Sequence, residues 1–241
     1  MKIILHGCND VARLQRGLGD PAIAGIEMDF YVEKGQVRVG HDPARATPIG
    51  GVSLQALGDL WRDTSKILVA DIKSARAHAL SLFSTDEGMC VLRALHSMLP
   101  AEVPIFVVGF AADWISLVQR TIKIWNGREI TYFVAAPNLL HCQTTFRQPG
   151  IRFGLNPGHP TSLIKKFITE SLPAMLEKDD RTATLGKGIE IASLPFKALE
   201  SDAWNRADVK MAWTVDSNAT LKEIQKLGPD YIIVSEYPLP S

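Results

Sequence analysis

Gly25-Ile26-Glu27-Met28-Asp29-Phe30-Tyr31-Val32 is the stretch on which the reading of this chain turns. Ile, Met, Phe, Tyr and Val surround two carboxylates and mark a strand that is largely buried. Side chains two positions apart on a strand share a face, so Glu27 and Asp29 point the same way. Two like charges side by side in an apolar setting are destabilising unless a cation compensates them. The simplest compensation is a hard divalent metal, which takes oxygen ligands.

Outward from this strand, short apolar runs alternate with longer amphipathic stretches. The pattern predicts strands at 2–6, 24–32, 67–72, 104–110, 130–135, 188–192, 209–215 and 230–235. Helices are expected over 10–18, 53–62, 86–99, 112–125, 161–178, 196–206 and 217–227. Repeated β-then-α order argues for a parallel sheet with crossover helices. Eight such strands fit a closed (β/α)₈ TIM barrel, here a single domain over residues 1–241. Val37-Arg38-Val39 follows a Lys34-Gly35 turn, so the segment after the second strand is an elaborated loop. The stretch 136–160 is rich in Pro, Gly, Asn and His and contains Ile151-Arg152-Phe153. It reads either as a ninth short strand or as a long loop, and long βα loops are usually functional. No fixed-period repeat, low-complexity tract or linker divides the chain.

At 241 residues, with 46% hydrophobic and 22% charged residues, the chain has the balance of a globular enzyme-like domain. Its formal net charge of zero lacks the basic excess of a nucleic-acid binder. An anionic substrate must therefore be held by a local site, because the overall field will not gather it. Cys8, Cys90 and Cys142 lie far apart without a CxxC spacing, which predicts a reduced, intracellular protein. Cys8 is expected as a small buried residue in a strand-to-helix turn. Met1-Lys2 runs at once into Ile3-Ile4-Leu5, unlike a signal peptide, and no apolar run has the length of a membrane span. The expected location is cytoplasmic. Nothing in the chain specifies an oligomeric state.

Polar and ionisable residues gather at the C-terminal ends of the first strands, where barrel enzymes build their sites. The first strand delivers His6, followed by Gly7-Cys8-Asn9-Asp10, and the second delivers Glu27 and Asp29. The loop after it ends in Gly40-His41-Asp42-Pro43. Ile67-Leu68-Val69-Ala70-Asp71-Ile72-Lys73 repeats the i, i+2 device with Asp71 and Lys73. Taken singly, each piece has a plainer reading. An exposed Glu-x-Asp is solvated charge, Asp71 and Lys73 make a structural ion pair, and a lone histidine is a packed or surface residue. That plainer reading is kept for His78, His96, His141 and His159. The convergence of neighbouring strands is what makes His6 and His41 candidates alongside the carboxylates.

The order His6, Glu27-x-Asp29, His41-Asp42, Asp71-x-Lys73 and Trp213-Thr214-Val215 resembles the glycerophosphodiester phosphodiesterase superfamily. The segments Ala212-Trp213-Thr214-Val215-Asp216 and Leu227-Gly228-Pro229-Asp230-Tyr231-Ile232-Ile233-Val234-Ser235 are similar to its last two strands. The resemblance is strong over residues 3–73 and 209–238 and weak between them. Gly7 stands where the mainstream family has an arginine that helps hold the phosphate, and Asp71-x-Lys73 stands for its Glu-x-Lys. In His6-x-x-Asn9 and Asp71-x-Lys73 the chain looks more like the sphingomyelinase D/phospholipase D branch, without that branch's cysteine-bounded loops and C-terminal tail.

The resemblance implies cleavage of a glycerophosphodiester or (lyso)phospholipid-type phosphodiester. Mg²⁺ or Ca²⁺ would be held by Glu27, Asp29 and Asp71, and Lys73 would add a fixed positive charge. His6 and His41 would serve as general base and general acid. Asn9 would donate to a phosphate oxygen, Trp213 would pack against a choline or alkyl head, and Asp42 would orient His41 or its loop. Two other readings stay open: a cyclic-phosphate-forming lyase, and a non-catalytic barrel that binds a phosphorylated ligand.

Overall fold

The computed structural model describes residues 1–41, 54–62, 64–74, 82–125, 128–134, 136–155 and 204–239. Eight parallel strands close on themselves: β1 (Lys2–Leu5), β2 (Ile23–Glu33), β4 (Ile67–Lys73), β6 (Ile105–Val108), β8 (Ile130–Phe133), β9 (Ile151–Leu155), β10 (Val209–Val215) and β11 (Tyr231–Val234). The ring runs β1-β2-β4-β6-β8-β9-β10-β11, and β11 pairs back onto β1 through Leu5 and Val234. This is the TIM barrel that the alternation of strands and helices predicts. Outside the ring, the short β5 (Leu82–Phe83) and β7 (Phe110–Ala111) pair with each other, and helices α1 (Val11–Gly19), α2 (Leu54–Trp61), α3 (Thr85–Met98), α4 (Trp114–Ile122), α5 (Ala136–Thr145) and α6 (Asn218–Gln225) follow strands in turn.

One strand assignment is corrected. The sixth barrel strand is Ile151–Leu155, paired on one side with β8 and on the other with β10 through Val209 and Lys210. The expected strand at 188–192 and the expected helix over 161–178 lie outside the described residues. Of the segment 136–160, residues 136–155 are described, and they hold α5 and then, at Ile151–Leu155, the short strand of the two alternatives, which takes a place in the barrel itself. Gly154 explains why this strand is hard to see. A Cβ there would fall 2.5 Å from a carbon of the Phe133 ring and 2.7 Å from the Val209 carbonyl oxygen. The strand has given up a side chain so that Phe133 can fill the lumen. Gly154→Ala should therefore cost about 1–3 kcal/mol of stability through overpacking, read as a lower urea midpoint at unchanged slope.

Alternate residues divide into an outer layer against the helices and a lumen. The lumen is filled by Ile4, Ile67, Val69, Phe106, Val108, Phe133, Val209, Met211 and Ile233, with Trp213 and Tyr231 packed against them. Phe106 and Tyr231 meet edge to face at 5.0 Å. This plug closes the lower barrel, so the C-terminal ends of the strands are left for polar residues. Glu27 and Asp29 on β2, and Asp71 and Lys73 on β4, continue the lumen face upward in register: Glu27 lies beside Val69, Asp29 beside Asp71, and Tyr31 beside Lys73.

Candidate active site

The site is assembled from three strand ends and one hairpin. β1 ends at Leu5, and its next residues fold over Glu27: the Gly7 N–H donates to Glu27 Oε2 at 2.6 Å and the Cys8 N–H to the Glu27 carbonyl at 2.8 Å. Gly7 has φ +64°, left-handed backbone that suits glycine. The mainstream family's arginine would be strained at this position. Asn9 closes a reciprocal pair with Asp29, its Nδ2 donating to Asp29 Oδ2 at 2.6 Å while the Asp29 N–H donates to Asn9 Oδ1 at 2.9 Å. The Asn9 amide is thus turned onto Asp29. Asp10 then caps α1 by accepting from the Arg13 N–H.

After β2 the chain reverses through Lys34 and Gly35, both at positive φ, a two-residue hairpin turn. β3 (Gln36–Val39) runs back antiparallel until Val39 lies beside Phe30, and the Gly40 N–H donates to the Asp29 carbonyl at 3.0 Å. The elaborated loop is therefore a device that returns His41 to the level of Asp29. His41 is exposed, and its charge acts on both His6 and Asp71. Asp42 lies outside the described residues.

Glu27, Asp29 and Asp71 are all buried, and each offers a carboxylate oxygen within 4.8 Å of the others. Lys73 Nζ sits 2.8 Å from Asp29 Oδ1 and 3.3 Å from Asp71 Oδ2. His6 Nε2 lies 3.7 Å from Glu27 Oε2, with 31% of its side chain exposed. One ammonium against three carboxylates leaves the cluster short of positive charge. Glu27 registers the imbalance: burial, then Asp29 and Asp71, push its carboxyl well above the usual range, against the pull of the Gly7 N–H and Lys73. Burial also raises Asp71, with Lys73 pulling the other way. For Lys73 itself, burial disfavours the charge, but Asp71 and Asp29 outweigh it and hold the ammonium above its ordinary value. Burial lowers His6 despite the attraction of Asp29, and Lys73 and His41 reinforce the drop. A neutral imidazole at neutral pH results.

The residues present fit a hard divalent ion. The donors are all carboxylate oxygens, and Asp71 Oδ1 is buried without a hydrogen-bond partner among the described residues. Trp213 on β10 packs on the lumen plug, with its indole Nε1 buried and unpartnered among the described residues.

No protein-family model matches the sequence, and no curated protein matches it. Solved structures do. A phosphodiesterase of Oleispira antarctica, determined in complex with the product sn-glycerol-3-phosphate, superposes with a TM-score of 0.56 over 98% of this chain and 93% of its own, at 12% identity. A glycerophosphodiester phosphodiesterase of Parabacteroides distasonis gives 0.55 over 97% and 92%, at 14% identity. The chain has the fold of the glycerophosphodiester phosphodiesterases. The likeness spans nearly the whole of both chains. Among the described residues, no helix is long and apolar enough to cross a membrane.

Strand patterning points to Glu27, Asp29, Asp71 and Lys73, and these stand together. His6 and Asn9 are brought to the same rim. Sequence reasoning passed over the backbone N–H of Gly7, which holds Glu27, and Arg13, whose guanidinium returns to the His6 carbonyl. The φ-permissive glycine directly after His6 was the available signal for the first. For Arg13 the sequence held none.

Proposed function

We propose that this protein is a metal-dependent phosphodiesterase that cleaves a glycerophosphodiester or (lyso)phospholipid-type phosphodiester. The observation that carries this reading is the buried trio Glu27, Asp29 and Asp71, with Lys73 among them and His6 and His41 at the same barrel mouth. The fold shared with a phosphodiesterase bound to sn-glycerol-3-phosphate supports it.

Glu27, Asp29 and Asp71 would hold Mg²⁺ or Ca²⁺, which when bound would neutralise the phosphate oxygens and the charge growing at phosphorus. Lys73 adds a second fixed positive charge, and its two carboxylate partners keep it protonated. His6, neutral because it is buried, takes the proton from the attacking hydroxyl as the new P–O bond forms. His41 gives its proton to the leaving alkoxide as the old P–O bond breaks. Asn9 fixes Asp29 at both its carboxylate and its N–H, a positioning task in place of direct phosphate contact. Trp213 offers an aromatic face and an N–H to the alcohol side of the substrate.

Turnover of a panel of glycerophosphodiesters and lysophospholipids with Mg²⁺ or Ca²⁺, repeated after chelation, tests the reading. Metal-dependent turnover of a diester is the expected result. Binding of metal and phosphate ester without turnover would favour the non-catalytic barrel.

The raised Glu27 carboxyl gives a second, independent test. In the metal-free protein the folded state holds this proton more tightly than the unfolded chain does. Stability from this group is therefore present at low pH and lost as pH rises above the unfolded value near 4.5 toward the raised folded one. A bound dication removes that loss. The gain in Tm on adding Mg²⁺ or Ca²⁺ should be larger at about pH 8 than at about pH 5; equal gains would contradict the assignment.

A further inference from the structure

We propose that Arg13 is a positioning residue that aims the His6 imidazole, an inference that rests on the general-base reading of His6. Arg13 stands in the first turn of α1, and its guanidinium turns back to the barrel rim. Its Nε donates to the His6 carbonyl at 2.9 Å, and a terminal nitrogen donates to the Ser235 carbonyl. These carbonyls lie one step past Leu5 and Val234, the last paired residues of β1 and β11, where the barrel closes. One further bond joins the strands, from the His6 N–H to the Val234 carbonyl at 2.9 Å. The chain then reaches Gly7, the residue best able to swivel.

Arg13 is thus a latch on the segment that carries the base. The planar fork of a guanidinium meets the two carbonyls from Nε and a terminal nitrogen in one fixed geometry, which a single ammonium on a flexible stem does not reproduce. Across the same peptide plane, the Gly7 N–H is fixed on Glu27 Oε2 at 2.6 Å. Arg13 and Glu27 thus hold the two ends of the peptide plane that follows the His6 Cα, and the His6 N–H holds the plane before it on β11, so the base and a carboxylate of the metal trio share one frame. Arg13 also borders a cleft of about 240 Å³ with Arg16 and Tyr237, which gives a small solute access to its place.

The test compares the parent chain, Arg13→Ala and, as a control, Arg16→Ala, whose guanidinium donates to the Tyr237 carbonyl. Arg13→Ala should lose about tenfold to a hundredfold in kcat with KM within about threefold, because a misplaced base slows the chemical step more than it weakens binding. Added guanidinium ion should restore about tenfold of that loss and leave Arg16→Ala unchanged. A kcat within about twofold of the parent, or a loss carried by KM alone, would overturn the proposal. If Arg13→Ala does not fold, Arg13→Lys keeps the charge while losing the fork, and the same comparison applies without the guanidinium arm. Inactivity of the parent on every diester would remove the general-base reading instead. The His6 ring resonances in NMR then decide Arg13 by themselves: a shift in the variant upholds the latch, and unmoved resonances overturn it.

Discussion

Asp29→Asn is expected to leave a folded barrel that neither binds Mg²⁺ or Ca²⁺ measurably nor turns over a phosphodiester. Asp29 is the most connected of the three carboxylates. It is fully buried, takes Lys73 at 2.8 Å, and is held at two points by Asn9. Asparagine has nearly the same shape and can still meet Asn9, so the fold should survive. What it loses is a full negative charge in a place from which water is excluded. Lys73 then keeps Asp71 as its close partner, at 3.3 Å, and competes with a metal for that carboxylate. Several kcal/mol of transition-state stabilisation go with the ion, which is about a thousandfold or more in rate. Calorimetric titration with Mg²⁺ and Ca²⁺ beside a turnover assay checks this. Metal affinity within threefold of the parent would remove Asp29 from the site.

His6→Ala is expected to lower kcat by about a hundredfold to ten-thousandfold, the usual worth of a positioned proton acceptor. The strand bond through the His6 N–H and the latch on its carbonyl involve backbone only, so stability should change little. The partner variant, His41→Ala, separates the two roles. A diester with a good leaving group such as p-nitrophenolate needs no protonation on departure. It should recover most of the activity of His41→Ala and little of that of His6→Ala. The reverse pattern would exchange the acid and base assignments, and near-parental turnover of either variant on an ordinary diester would remove that histidine from the mechanism.

The parts of this architecture legible in the sequence are those whose chemistry and periodicity agree locally. β2 and β4 are apolar strands that each carry two charges two positions apart, Glu27 with Asp29 and Asp71 with Lys73, and such an interruption is tolerated only on a lumen or edge. That pattern gives both the barrel wall and the carboxylates standing on it. β9 was not legible. Arg152 breaks its apolar run, and Gly154 is chosen by the ring of Phe133 on the neighbouring strand, a demand no local pattern records. Gly188-Ile189-Glu190-Ile191-Ala192 shows a cleaner alternation than Ile151–Leu155, the strand that pairs with both β8 and β10. The site divides the same way. Paired carboxylates announce themselves, whereas Arg13 acts on carbonyls at residues 6 and 235, the second of them 222 positions away. Any residue offers a carbonyl, so only the closed barrel shows which two it spans. His41 lies between: its place in the order was readable, and its return to Asp29 needed the β2–β3 hairpin.

Phosphorus NMR of a glycerophosphodiester and lysophospholipid panel, followed in one sample before and after chelation, tests the central claim most directly, because it reports substrate and product together. The account predicts that at least one diester resonance gives way to a phosphate monoester or cyclic phosphate while Mg²⁺ or Ca²⁺ is present, and that the conversion stops when the metal is removed. Diester resonances that all stay unchanged beside folded, metal-loaded protein would contradict it, as would conversion that continues after thorough chelation.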